Sequence, residues 1–205
     1  MNLNAVTRSS AVVAVLSVAA AARAQGALDI TLKHANSAHE AQTREQLQRL
    51  LKTYDLSRWI FTRSIVVDEQ AIPHSHPVLT LHARHLQDDE LLLSTFVHEQ
   101  LHWWLVSQGK ATDEGIADLQ ALFPTVPGTP PEGAQDEHST YLHLLDCYLE
   151  YRAVQQLLGE LKARQVMEFW ATDHYTWIYR TVLERSREIG AIVAKRKLMA
   201  ASDRP

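Results

Sequence analysis

Apolar positions along the chain change their spacing several times, and each change marks an element. Residues 28–32, LDITL, read as a short strand. Over 37–54, SAHEAQTREQLQRLLKTY, Leu47, Leu50 and Leu51 fall at helical spacing and predict an amphipathic helix. WIFTRSIVV, 59–67, is rich in β-branched and aromatic residues, which suit a strand. After the loop AIPHSHP, the segment VLTLHARH (78–85) sets Val78, Thr80 and His82 against Leu79, Leu81 and Ala83, the alternation of another strand. Asp88, Asp89 and Glu90 then bring carboxylates to the start of a helix that runs to about Gln108, where Gly109 stops it.

A shorter helix is expected in TDEGIADLQALF, with its N-cap at Thr112 or Asp113. PTVPGTPPEGAQDE (124–137) carries four of the seven prolines and reads as an extended loop. A long helix follows from Ser139 to about Leu158, where Gly159 breaks it. Two more are expected, in ELKARQVMEFWA (160–171) and in YTWIYRTVLERSREIGAIVAKRKL (175–198). This order predicts one α+β domain over 25–205: a small mixed sheet in the N-terminal half, then helices.

Composition narrows the function classes. The 205 residues suit one domain, and a net charge of −4 without a long Lys or Arg run argues against nucleic acid as the main partner. Cys147 is the only cysteine, so no intrachain disulfide can form; set among Leu and Tyr, it reads as a buried core thiol. At the N-terminus, Arg8 precedes an apolar run from Ala11 to about Ala22, and Ala22-Arg23-Ala24 is a small-x-small cleavage pattern. Residues 1–24 are therefore expected to be a signal peptide. The mature protein would start at Gln25 and act outside the cytoplasm, periplasmic or secreted, with no membrane anchor left.

Eleven histidines are the outlier. His98 and His102, in VHEQLHWW (97–104), stand four apart on a segment that is apolar on both sides, so their imidazoles project from one helical face. That spacing lets both reach one Zn2+ at ~2.0–2.1 Å. Glu99 lies ~100° further round, close enough to take a proton from a metal-bound water without being a ligand. Random placement gives this five-residue pattern in roughly 4% of chains of this composition, and burying it unpaired in an apolar helix would be costly.

A third ligand is sought in HSTYLHLLDCYLEYRAV (138–154). There His143, Asp146 and Glu150 share one helical face. Glu150 has the most apolar setting and is the leading candidate, with His143 next; Asp146 fits better as the acceptor that orients a ligand imidazole. In DHYTWIYRTVL, Tyr175 and His174 are candidates to stabilise an oxyanion, and Tyr175 and Tyr179 are expected on one helical face. His74, His76, His82 and His85 form a second cluster, read as loop hydrogen-bonding or substrate-contacting groups.

HEQLH on a helix, with strands before it and a carboxylate-bearing helix after it, resembles the zincin metallopeptidases, and a helical Glu150 would make it similar to their gluzincin branch. The resemblance implies His98, His102 and Glu150 as zinc ligands, Glu99 as general base, and VLTLHARH as the edge strand lining the substrate cleft. Leu105 and Gln108 stand where metzincins have Gly and a third His, and Val154 where gluzincins often place an Asp. The expected activity is an exported zinc-dependent hydrolase cleaving a peptide bond in a peptide or protein substrate. The alternative is a non-catalytic extracytoplasmic metal-binding protein; a third possibility is an interaction module with no metal.

Overall fold

In the computed structural model, which describes residues 28–200, the stretch read as a strand over 59–67 joins the sheet only at its end. β1 (Asp29–Leu32), β2 (Ser64–Val67) and β3 (Leu79–Leu81) pair in the order β1-β2-β3, with Ile30 beside Ile65 and Ile65 beside Leu79. Both pairings are parallel, so the expected mixed sheet is corrected to a wholly parallel one. Each connection crosses back before the next strand starts, the first through helix α1 (Ala38–Thr53), the second through 68–78.

Residues 60–63 stay out of the ladder because a side chain takes the place of a neighbouring strand. Gln100 Oε1 accepts from the N–H groups of Phe61 and Thr62 at 2.7 and 2.8 Å, and its Nε2 donates to Thr62 O at 2.9 Å. The strand expected over 78–85 ends at Leu81. Beyond it the chain turns, with Leu86 N–H donating to Ala83 O and Asp88 N–H to His85 O. At the opposite corner Glu40 is fully buried and accepts from His34 N–H and Glu69 N–H, which fastens α1 to the sheet.

The helices are α2 (Asp89–Gln108), α3 (Lys110–Leu122), α4 (Glu137–Leu158), α5 (Glu160–Asp173), α6 (Thr176–Glu184) and α7 (Ser186–Lys195). Asp88 caps α2 through Leu91 N–H, and Asp136 caps α4 through Ser139 N–H, so α4 begins slightly ahead of the expected Ser139. Gly109, at φ 45°, joins α2 to α3, which starts at Lys110 rather than at Thr112 or Asp113. The single helix expected over 175–198 is divided at Arg185, which closes α6 and lets α7 pack on α3 and α4. No Gly or Pro marks that break. Gly190 is needed just after it, because a Cβ there would run into the hydroxyl of Tyr148, with ring atom Cζ only 2.9 Å away.

α4 is the hub, packed against α2, α3, α5, α6 and α7. α2 packs against α4 and also against α1 and β3. Its Leu92, Leu93, Phe96, Val97 and Leu101 are buried against a core that includes Leu144, Leu145 and Val154. No described helix is long and apolar enough to cross a membrane. The signal peptide expected in residues 1–24 lies outside the described residues.

Candidate metal site

Two helices that are buried nearly all round carry a band of polar side chains where they face each other. From α2 come Ser94, His98, Glu99 and the partly exposed His102; from α4 come His143, Asp146 and Glu150. Ser94, His98 and His102 follow one another at four-residue steps, which puts all three on the face of α2 toward α4. Without partners this band would cost several kcal/mol.

Three imidazoles converge. Nitrogens of His98, His102 and His143 lie within 4.8 Å of one another, and Nε2 of His98 is 3.3 Å from Nε2 of His102. Two nitrogens at ~2.0–2.1 Å on a tetrahedral ion would stand about 3.3–3.4 Å apart, so the pair already has the spacing of metal ligands. His143 turns Nδ1 to Ser139 O at 2.7 Å, which leaves Nε2 with its lone pair free. His98 directs Nδ1 to Glu150 Oε2 at 3.0 Å, so its Nε2 is also the free one.

Glu150 is placed differently from the ligand role expected of it. One oxygen accepts from Ser94 Oγ; the other accepts from His98 Nδ1 and from Tyr179 Oη at 2.9 Å. Ser94 in turn accepts from Trp170 Nε1 at 3.0 Å. Glu150 therefore sits behind His98 and holds that ring in place. It also belongs to a second metal-capable set with His98 and Cys147. That set suits a metal poorly: burial pushes the Cys147 thiol up to about 12, far from the thiolate a metal needs, and both oxygens of Glu150 already have donors. Asp146 is fully buried; its Oδ2 lies 2.8 Å from His98 Nδ1, closer than Glu150 does, and 3.9 Å from His102 Nε2, while its Oδ1 has no partner. Two buried carboxylates, Asp146 and Glu150, thus meet one imidazole, an excess of negative charge that a cation would answer.

Burial and charge set the protonation of the group. Burial drives His102 and His143 down to about 3, so both are neutral, the form that binds metal. Burial opposes charge on His98 too, but the carboxylates of Asp146 and Glu150 outweigh it and hold that imidazole well above the ordinary range, so a metal bound at its Nε2 would have to displace a proton. Burial lifts Glu99 to about 7, with His98 pulling the other way. Glu99 is thus a carboxyl poised to exchange protons near neutral pH.

The site opens into a cavity of about 980 Å³, at the upper end of the range for small-ligand pockets. Tyr175 begins its far wall. As the residue before α6 it adopts a left-handed conformation, φ 50° and ψ 38°, which brings its ring to 4.5 Å from that of His143. Burial raises its phenol, so it stays a proton donor. Tyr179, expected on the same face, lines the cavity as well, but its hydroxyl is committed to Glu150. His174 packs beside Tyr175, ring centroids 4.8 Å apart, with Nδ1 2.9 Å from Asp173 Oδ2. His74, His76, His82 and His85 all line the same cavity, so the second histidine cluster belongs to this site.

Several contributors left little trace in the sequence. Ser94 was reachable, since it lies one helical repeat before His98. The Arg84–Asp173 ion pair spans residues 89 apart, and the stack of His76 on Trp103, centroids 4.2 Å, joins a loop to a helix. Neither has a periodic signal. Compared with known proteins, the chain matches no family model, no curated protein and no solved structure.

Proposed function

We propose that the protein is an exported zinc-dependent hydrolase that cleaves amide bonds of peptides, with His98, His102 and His143 holding the ion. The observation that carries this is the meeting of three imidazoles, two of them already at ligand spacing, beside Glu99 in a cavity. The zincin resemblance of HEQLH points the same way. His143 takes the third position here in place of Glu150, because its Nε2 is free while the Glu150 oxygens are engaged. Imidazole ligation favours zinc among the common divalent ions.

Bound there, Zn2+ would polarise the substrate carbonyl and lower the pKa of water from 15.7 to ~7. The rest falls to the chain. Glu99 accepts a proton from the attacking water as its oxygen bonds to the carbonyl carbon. The C–N bond then breaks and Glu99 returns that proton to the leaving amine. Tyr175, protonated and beside His143, donates to the developing oxyanion, and His174, steadied by Asp173, backs its ring. Glu150 orients His98, held in turn by Ser94 and Tyr179.

A non-catalytic metal-binding role outside the cytoplasm is the second reading, supported by a further metal-capable group at His34, Glu40 and Glu69. Elemental analysis of the purified protein and of His98→Ala tests the metal in both readings: one zinc per chain, lost in the variant. Glu99→Gln separates them, since it keeps zinc in either case and abolishes peptide turnover only in a hydrolase.

A further inference from the structure

β3 is an outer strand of the sheet, and the cavity is lined by residues just before it, His74 to His76, and just after it, His82 and His85; an extended substrate would add there as a further strand. Leu79 and Leu81 face β2 with their backbone groups, as the Asp68 N–H to Leu81 O bond at 2.8 Å shows. Thr80 is then the residue of this three-residue strand whose N–H and C=O face outward. Both are taken. Thr80 N–H donates to His74 O at 2.8 Å, and Thr80 O accepts from His74 N–H at 3.2 Å.

The loop that makes this pairing is fixed at two further points. Trp103 Nε1 donates to Ser75 O at 2.9 Å, and His76 stacks on the Trp103 ring while Ser75 Oγ lies 2.9 Å from its Nδ1. Trp103 follows the candidate ligand His102 directly, so the seal is anchored to the helix that bears the site. An interior stretch of polypeptide has no free edge here to run along. What the cavity offers instead is a wall of rings, His143 to Tyr175 to His174 to Trp170, and a charged pair, Arg84 with Asp173. Arg84 remains half-exposed, and a guanidinium has five N–H donors, so the pair can meet a charged chain end.

We infer that the substrate is a short peptide with free ends, lodged whole or by one end in this cavity, rather than an interior segment of a long chain. The inference rests on the peptidase reading above. The closing experiment uses the full chain loaded with zinc, and peptides that share one central residue pair. One set has two to four residues with free ends; the other has about twelve residues, acetylated and amidated. Binding to the Glu99→Gln variant is measured calorimetrically, and the products of the unaltered protein are mapped by mass spectrometry. The expected result is at least tenfold tighter binding of the short set and release of terminal fragments. Equal or tighter binding of the long blocked peptide, or cleavage at its interior, overturns the inference and leaves the peptidase reading standing. If no peptide of either set binds or is cut, the peptidase reading falls and takes this inference with it.

Discussion

Two residues decide what the buried band of polar groups is for. His143 and Glu150 both approach His98: a nitrogen of His143 gathers with nitrogens of His98 and His102 within 4.8 Å, while Glu150 accepts from His98 Nδ1. Glu150→Gln should therefore weaken zinc binding by about 10–100-fold, the usual cost of losing an outer partner, with the ion still bound at saturation. His143→Ala, which would remove a proposed ligand, should cost more than that, measured by competition with a chromophoric chelator. The reverse order would return the ligand role to Glu150. Glu99 carries a pH expectation. Its carboxyl is raised by burial to about 7, so it is protonated, and useless as a base, on the acid side. A dication nearby favours the carboxylate and draws that limb lower. kcat/KM should thus fall as pH drops through a value at or below about 7. A rate that stays flat from about pH 8 to about pH 5 would remove Glu99 from the role.

At the scale of elements, the helices decide how firmly α4 is held. α7 reaches α4 only because Gly190 leaves room for Tyr148. Gly190→Ala should destabilise by about 1–3 kcal/mol through overpacking, despite the better helix propensity of Ala, read from urea unfolding. No loss of stability would show that the ring swings away at no cost. Helix identity was plain in the chain because apolar spacing and the caps Asp88, Gly109 and Gly159 agree with the packing that each helix meets. Strand limits were not, since the partner that withholds 60–63 from the sheet is Gln100, on a helix 38 residues away. The division at Arg185 has no local signal either. Within the site, His98, Glu99 and His102 were legible from spacing on one helix. The choice among His143, Asp146 and Glu150 was not, because one helical face holds all three and only their hydrogen-bond partners in the folded chain separate them.

For the molecule as a whole, the same polar band is a weakness that a metal would turn into a tie. α2 and α4 form the centre of the core, yet between them lie His98, Glu99, His143, Asp146 and Glu150, all buried. Asp146 and Glu150 share the one imidazole of His98 to offset their burial, and Asp146 Oδ1 has no partner. The metal-free fold thus spends stability on a site that contributes little to packing. An ion gripped by His98 and His102 from α2 and by His143 from α4 would link the two helices and bind the folded state alone. At free zinc of 100 times its dissociation constant, folding gains about 2.7 kcal/mol. For a domain of this size each kcal/mol moves Tm by roughly 2–4 °C, so zinc should raise Tm by about 5–10 °C. Chelation should reverse the shift, and His143→Ala should abolish most of it, while Glu99→Gln should keep it. A Tm indifferent to zinc across this series would mean that the imidazoles meet without gripping anything, and that the band serves some purpose other than a metal.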